Sequence, residues 1–185
     1  MTRPQVEYLL SEIGAKKNLE SFVVLGSLVV YGLPDSAIPL DMTTSNEVDS
    51  YPELHPQSAF DLSKEWGQGS KFEEQHGFYF DGISPTLPTL PEGWQSRLLI
   101  GKTASGVTIK FGEPNDVAIS KYTRGEAKDR EWIRSGLAAS VLSLATMEYR
   151  LRETLFLDEA EHERVKSAIE EDRVWLSGLR TPPSA

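Results

Sequence analysis

The chain has 185 residues, of which 39% are hydrophobic, and this length and composition are typical of one globular unit with a buried core. Its formal net charge of −9 excludes a bulk electrostatic attraction to nucleic acid, and the absence of cysteine excludes disulfides and thiolate metal sites. Because no apolar run approaches the roughly 20 residues of a membrane span and the N-terminus lacks the apolar core of a signal peptide, we expect a soluble, cytoplasmic protein without a membrane partner.

The first part of the chain predicts two helices and two strands. Apolar residues recur at helical spacing over residues 5–13, which indicates an amphipathic helix that ends at Gly14. The β-branched and aromatic run at residues 21–25 predicts a strand, and residues 27–31 predict a short apolar helix. A second strand is expected at residues 42–48.

The middle of the chain alternates short elements with polar connections. Residues 60–66 predict a short helix, and the polar, glycine-containing stretch at residues 67–76 predicts an exposed loop. A strand resumes at residues 77–81 and is followed by a proline-rich extended passage. Residues 97–100 and 107–111 predict a hairpin.

The chain changes to helical periodicity after Pro114. Asn115 or Asp116 can cap a first helix. A second helical stretch, over residues 126–149, is expected to be interrupted near Gly136. The last predicted segments are a long charged helix and a frayed tail, at residues 158–179 and 181–185.

A sheet formed early and a helical C-terminal half predict an α+β fold. We expect a sheet core over residues 1–114 and a helical part over residues 115–185 that packs on it, so that the two form one compact unit. The strands at residues 21–25 and 42–48 are expected to be neighbours in this sheet.

Two carboxylates, Glu47 and Asp49, lie one residue apart at the second predicted strand. Because residues i and i+2 of a strand point to the same face, both can converge on one divalent cation while Val48 faces the core. Mg²⁺ prefers such oxygen ligands, and two like charges on one face call for a cation nearby. The alternative is a pair of solvent-facing acids, which is common in a chain with 28 acidic residues.

The Gly26-Ser27 turn follows the first predicted strand. Its backbone N–H groups and its hydroxyl can bind a triphosphate. The alternative is a plain connection between a strand and a helix, with Ser27 as the N-cap. Combined with the paired carboxylates, the turn provides the minimum equipment for metal-assisted nucleotidyl transfer.

Five basic residues lie within fourteen positions of the helical half: Lys121, Arg124, Lys128, Arg130 and Arg134. If RNA is the substrate, its backbone is expected on this cluster. Lys121 is a candidate phosphate ligand, with Asp129 near the metal or a basic side chain, and Gly125 predicts a helix break between them. The alternative is a solvated helix face whose ion pairs contribute about 0.3–0.5 kcal/mol each.

The order and spacing of these residues resemble the polymerase-β-like nucleotidyltransferases, and more closely the uncharacterised bacterial family DUF6036, which is related to the AbiEii and MenT type toxins. The resemblance covers residues 22–132. Its motifs are Gly26-Ser27, residues 47–52, 69–72, 76–83 and 90–94, Ser120-Lys121 and Lys128-Asp129.

This resemblance implies a mixed sheet with a helical C-terminal half and a Mg²⁺-dependent transfer of a nucleoside monophosphate from an NTP. In the related toxins the acceptor is RNA, notably the 3′ end of tRNA, and an antitoxin protein is a further implied partner. Residues and resemblance together predict three overlapping groups: catalytic Glu47, Asp49, Lys121 and Asp129; nucleotide-binding Gly26, Ser27, Lys121 and Arg124; and metal-binding Glu47, Asp49 and Asp81.

Two features depart from the superfamily pattern. The first acid is Glu47, where the superfamily usually has aspartate, and the spacer between Ser27 and Glu47 is longer than usual. These departures leave open the alternative of a catalytically degenerate member that binds nucleotide, RNA or a partner protein. A separate alternative is an enzyme that modifies a protein hydroxyl instead of RNA.

Overall fold

The computed structural model describes residues 1–180, so the frayed tail expected at residues 181–185 lies outside the described residues. Within them the strands are β1 (Ser21–Val24), β2 (Glu47–Pro52), β3 (Tyr79–Gly82), β4 (Leu99–Lys102) and β5 (Thr108–Phe111). They form one sheet in the order β3-β2-β1-β5-β4. The pairs β1/β2 and β4/β5 are antiparallel, whereas β1/β5 and β2/β3 are parallel.

Helices precede, interrupt and follow this sheet. They are α1 (Arg3–Lys17), α2 (Ala59–Trp66), α3 (Lys71–His76), α4 (Pro114–Arg124), α5 (Ala127–Ala138), α6 (Leu144–Leu151) and α7 (Glu159–Arg180). A 3₁₀ helix, Ser27–Gly32, follows β1 directly. The predicted α+β fold, a mixed sheet with a helical C-terminal half, is confirmed.

The main core joins both halves of the chain. One buried cluster contains side chains of α1, the sheet, α4, α5, α6 and α7. Strand β1 is buried on both faces: Phe22 and Val24 belong to the main cluster, and Val23 belongs to a smaller cluster with Ala59 and Ile83. None of the helices in residues 1–180 is long and apolar enough to cross a membrane.

The prediction that α1 ends at Gly14 is wrong. The helix continues to Lys17 and ends where Asn18 adopts the left-handed conformation, with φ of 54°. A Cβ at Gly14 would lie 2.8 Å from both the Leu19 carbonyl oxygen and a methyl group of Val107. This glycine therefore permits close packing instead of ending the helix.

The loop predicted at residues 67–76 is also wrong in its second half, because residues 71–76 form α3. The Ser70 side chain caps the helix by accepting a hydrogen bond from the N–H of Glu73. Phe72 stacks on His76 with ring centroids 4.3 Å apart and also contacts the ring of Tyr8 on α1. The helix buries little beyond these rings, so its sequence carries almost no apolar periodicity.

Strand β2 begins at Glu47 and not at residue 42. The segment Leu40–Thr43 forms a 3₁₀ turn that buries Met42 in the core, so the apolar residue that suggested a strand belongs to this turn. The two strands that were expected to be neighbours are paired, with Val23 opposite Tyr51.

One detail of the helical half differs from expectation and another agrees with it. The cap of α4 is Glu113, whose side chain accepts hydrogen bonds from the backbone N–H groups of Asn115 and Asp116. The interruption expected near Gly136 is present, because α5 ends at Ala138 and α6 begins at Leu144. A Cβ at Gly136 would lie 2.7 Å from the Leu142 side chain, so this glycine makes room for the returning chain.

Candidate functional site

A cavity of about 850 Å³ opens where the sheet meets the helical half. Its walls come from the end of β1 at Gly26, from β2 through Glu47 and Asp49, and from the α4 side chains Lys121 and Arg124. The volume lies within the range of small-molecule sites in proteins. The cavity brings together residues that are far apart in the sequence and that were predicted to act together.

The structure places Glu47 and Asp49 on the same face of β2, toward this cavity, whereas Val48 is fully buried in the main core on the opposite face. Parallel pairing with β3 sets Asp81 directly beside Asp49. The carboxylates of Glu47, Asp49 and Asp81 therefore belong to one face of two adjacent strands.

Burial and the neighbouring acids together change the ionisation of Asp49. Burial, and then the negative charges of Glu47 and Asp81, raise the pKa of Asp49 from 3.8 to about 6. Lys121 and Arg124 act in the opposite direction but do not cancel this effect. Burial, followed by the charge of Glu47, also raises the pKa of Asp81. The acidic face thus favours the addition of positive charge.

Gly26 has a steric role beside Asp49. A Cβ at Gly26 would overlap the Asp49 carboxylate, so only glycine leaves room for that side chain. The backbone N–H of Leu25 also donates to the Asp49 carbonyl oxygen at 3.0 Å. Gly26, whose backbone N–H was predicted to bind phosphate, thus also leaves the space that the Asp49 carboxylate occupies.

The basic side of the cavity is a connected network. The Lys121 ammonium donates to the Ser27 hydroxyl at 2.9 Å and to the Asp129 carboxylate at 3.1 Å. Arg124 donates from Nε to the same carboxylate at 2.7 Å. Gly125, with φ of 71°, ends α4 and lets α5 return, which brings Asp129 back to Lys121. The predicted helix break is therefore what assembles this part of the site.

Burial and pairing oppose each other in this network. Lys121 is 5% exposed and Asp129 is 1% exposed. Burial lowers the pKa of Lys121, although the charge of Asp129 acts against this. Burial acts to raise the pKa of Asp129, but hydrogen bonds from Arg124 and Lys121 outweigh it and lower the pKa overall. The aspartate is thus held ionised between two cations.

Sequence reasoning missed two residues of the site. Trp132 belongs to the buried core, and its indole N–H also donates to the Ser27 carbonyl oxygen at 3.1 Å, while Lys121 Nζ lies 4.9 Å from its ring. Tyr79 donates from its hydroxyl to the Glu47 carboxylate at 2.6 Å. The i, i+2 spacing of Tyr79 and Asp81 on a predicted strand was a signal that could have revealed it.

The five basic residues of the helical half do not form one open patch. Arg130 and Arg134 both donate to the carboxylate of Asp172 on α7. Lys128 lies on the cavity wall with 65% of its side chain exposed, near the carboxylate of Glu126. The cluster is therefore divided between the cavity and the contact with α7.

The predicted metal ligands are adjacent but not fully convergent. Asp81 is not among the described residues that line the cavity. Within residues 1–180, Glu47, Asp49 and Asp81 do not form a group whose ligand atoms all lie within 4.8 Å of one another. The group that meets this distance is Glu159, His162 and Glu163, of which both glutamates are exposed.

The family model described as "Nucleotidyltransferase of unknown function (DUF6036)" matches residues 5–174. This match is longer than the segment over which the resemblance was recognised from motifs. No match was found among curated proteins or among solved structures. The family description names no substrate, acceptor or partner.

Proposed function

Because the chain belongs to DUF6036, a family of nucleotidyltransferases of unknown function, we propose that it transfers a nucleoside monophosphate from an NTP to an acceptor hydroxyl with Mg²⁺ as cofactor. The observation that carries the proposal is the two-sided cavity. Glu47 and Asp49 form its acidic side, and Lys121 and Arg124 form its basic side.

The donor set fits a divalent cation. Glu47 and Asp49 would hold it, with Asp81 beside them, because clustered carboxylate oxygens are the ligands that Mg²⁺ prefers. The raised pKa of Asp49 supports this, since a bound cation would relieve the repulsion among the acids. When bound, the ion supplies charge that polarises the α-phosphate and favours ionisation of the attacking hydroxyl.

The basic side suits the triphosphate. Lys121 and Arg124 would neutralise phosphate oxygens, and Asp129 holds both side chains in fixed positions so that little ordering remains to be done on binding. In the reaction the acceptor oxygen bonds to the α-phosphorus, the bond from that phosphorus to the pyrophosphate breaks, and the acceptor proton passes to water. Catalysis of such an in-line transfer is mainly positioning and charge stabilisation.

We propose RNA, such as the 3′ end of tRNA, as the acceptor, and the toxin of a toxin–antitoxin pair as the biological role. The support is the resemblance to the toxin families and the presence of Lys121, Arg124 and Lys128 on the cavity wall. Arg130 and Arg134 are engaged by Asp172, so RNA would meet the rim of the cavity and not a broad basic surface.

A second candidate is a catalytically degenerate member that binds nucleotide, RNA or a partner protein. The observation that favours it is the incomplete convergence of Glu47, Asp49 and Asp81 within the described residues. A third, an enzyme that labels a protein hydroxyl, uses the same chemistry with a different acceptor.

The test is to incubate the protein with each α-labelled NTP, Mg²⁺ and total RNA, and to identify the labelled macromolecule. We expect labelled RNA with the wild type and with Asp61→Asn, whose carboxylate is exposed on α2, but none with Asp49→Asn. Labelled protein instead of RNA would support the third candidate. Thermal stabilisation by NTP without any label would support the second.

A further inference from the structure

Tyr79 contacts the acidic side of the cavity in a way that the proposed function has not used. Parallel pairing sets Tyr79 of β3 directly beside Glu47 of β2, so both side chains leave the sheet on the same face. The Tyr79 hydroxyl donates to Glu47 Oε2 at 2.6 Å and the ring lines the cavity. Among the described residues, no other side chain donates a hydrogen bond to the Glu47 carboxylate.

The surroundings of Glu47 explain why such a donor matters. Its neighbours on this face, Asp49 and Asp81, are acids that repel its carboxylate. A glutamate also has one more rotatable bond than an aspartate, so holding it in one orientation costs more side-chain entropy. A hydrogen bond of 2.6 Å is typical of a hydroxyl that donates to an ionised carboxylate and is stronger than a neutral one.

We propose that Tyr79 is a positioning residue, which fixes the Glu47 carboxylate beside Asp49 through Oε2 and leaves Oε1 for a divalent cation. The inference rests on the proposed metal site and adds the group that makes a long, flexible glutamate usable there. Groups that orient metal ligands through a hydrogen bond typically change metal affinity about 10- to 100-fold when they are removed.

The chain offers a matched control. Tyr122 on α4 also donates to a carboxylate, that of Asp172, at 2.9 Å. This pair is buried and joins α4 to α7 outside the cavity. Tyr79→Phe and Tyr122→Phe therefore delete the same atom and the same kind of hydrogen bond at two places, of which only the first faces the proposed metal site.

The test is a direct titration of each protein with Mn²⁺, in which the electron paramagnetic resonance signal of free Mn²⁺ measures how much metal is unbound. Thermal unfolding of each variant checks that it is folded. We expect Tyr79→Phe to weaken Mn²⁺ binding at least about tenfold. Tyr122→Phe should lower Tm and leave the binding midpoint unchanged. A merely structural Tyr79 would lower Tm in the same way without moving the midpoint.

Glu47→Asp provides a second arm, because its side chain is one methylene shorter and we expect it to lose the hydrogen bond with the Tyr79 hydroxyl. In the Glu47→Asp background, Tyr79→Phe should have no further effect on Mn²⁺ binding, so the double-mutant cycle should show strong coupling. Equal midpoints for wild type and Tyr79→Phe, or independent effects in the double variant, would overturn this inference alone. Absence of Mn²⁺ binding by the wild type would overturn the metal site as well.

Discussion

At the scale of single residues, Asp49 joins most of the interactions of the cavity. Its carboxylate lies over Gly26, next to Asp81 in the neighbouring strand, and within the electrostatic influence of Lys121 and Arg124. Its ionisation therefore reports on the site without any assumption about the substrate.

The raised pKa of Asp49 predicts how stability depends on pH. The folded state binds a proton up to about pH 6, whereas the unfolded state releases it near 3.8, so stability is lost as the pH rises through this window. In metal-free buffer, we expect Asp49→Asn to have a higher Tm than the wild type at pH 7, and the difference to shrink as the pH falls toward 4.

Differential scanning fluorimetry in the presence of a chelator measures this effect. Asp61→Asn is the control, because hydrogen bonding to Lys64 lowers the pKa of Asp61 and its removal should not stabilise the protein. If the difference in Tm between Asp49→Asn and the wild type stays constant from pH 4 to pH 8, folding does not raise the pKa of Asp49.

Lys121 tests the basic side of the cavity. Its ammonium makes a charge-assisted contact in a buried site, and such contacts contribute about 1.5–3 kcal/mol. If the contact strengthens in the transition state, Lys121→Met, which removes the ammonium that lies 4.9 Å from the Trp132 ring, should slow transfer about 10- to 100-fold. The measurement is single-turnover labelling with α-labelled NTP.

Two other lysines calibrate this result. Lys128→Met, on the exposed wall, should have a smaller effect, and Lys102→Met, on the exposed edge strand β4, should have none. If all three substitutions change the rate of transfer by equally small amounts, Lys121 serves only as a structural partner of Asp129.

At the scale of elements, one buried carboxylate holds the last helix. Asp172 of α7 has no exposed surface and accepts hydrogen bonds from Tyr122 of α4 and from Arg130 and Arg134 of α5. Arg130 and Arg134, which the sequence suggested for RNA binding, therefore join α7 to the helix that carries Asp129, and Tyr122 joins α7 to the helix that carries Lys121.

Removal of this carboxylate should destabilise the protein strongly. Because Asp172→Ala removes the carboxylate that Arg130, Arg134 and the buried Tyr122 hydroxyl share, we expect a loss of about 3 kcal/mol in the free energy of unfolding. Glu171→Ala, which removes an exposed partner of Arg130, should cost less than about 1 kcal/mol. Urea denaturation compares the two variants, and similar losses would contradict a special role for the buried carboxylate.

At the scale of the whole molecule, the cavity lies between the sheet and the helical half, so a ligand that binds both sides should stabilise the entire fold. A non-hydrolysable NTP analogue with Mg²⁺ at 100 times its Kd should add about 2.7 kcal/mol. For a chain of this size that corresponds to a rise in Tm of about 5–10 °C. Chelation of the metal should remove most of this gain. A Tm that does not change when the NTP analogue and Mg²⁺ are added would argue against nucleotide binding in the cavity.

Local patterns in the sequence were sufficient for several features of this molecule. The shared face of Glu47 and Asp49 follows from the two-residue period of a strand, and the break between Lys121 and Asp129 follows from Gly125. Patterns misled where one residue type serves two purposes. Gly14 looked like a helix end but permits close packing, and Met42 looked like part of a strand but is buried from a turn.

The α+β class and the shared face of the carboxylate pair were thus determined by the sequence itself, because they follow from the order of the elements and from the two-residue period of a strand. Only the tertiary structure decided that Asp81 pairs beside Asp49, that Lys121 reaches Ser27 across 94 positions, and that Tyr79 holds Glu47. It also decided that Arg130 and Arg134 belong to Asp172, about 40 residues later. Such pairings depend on how strands register and helices pack, and no local pattern encodes which distant partner will neutralise a given charge.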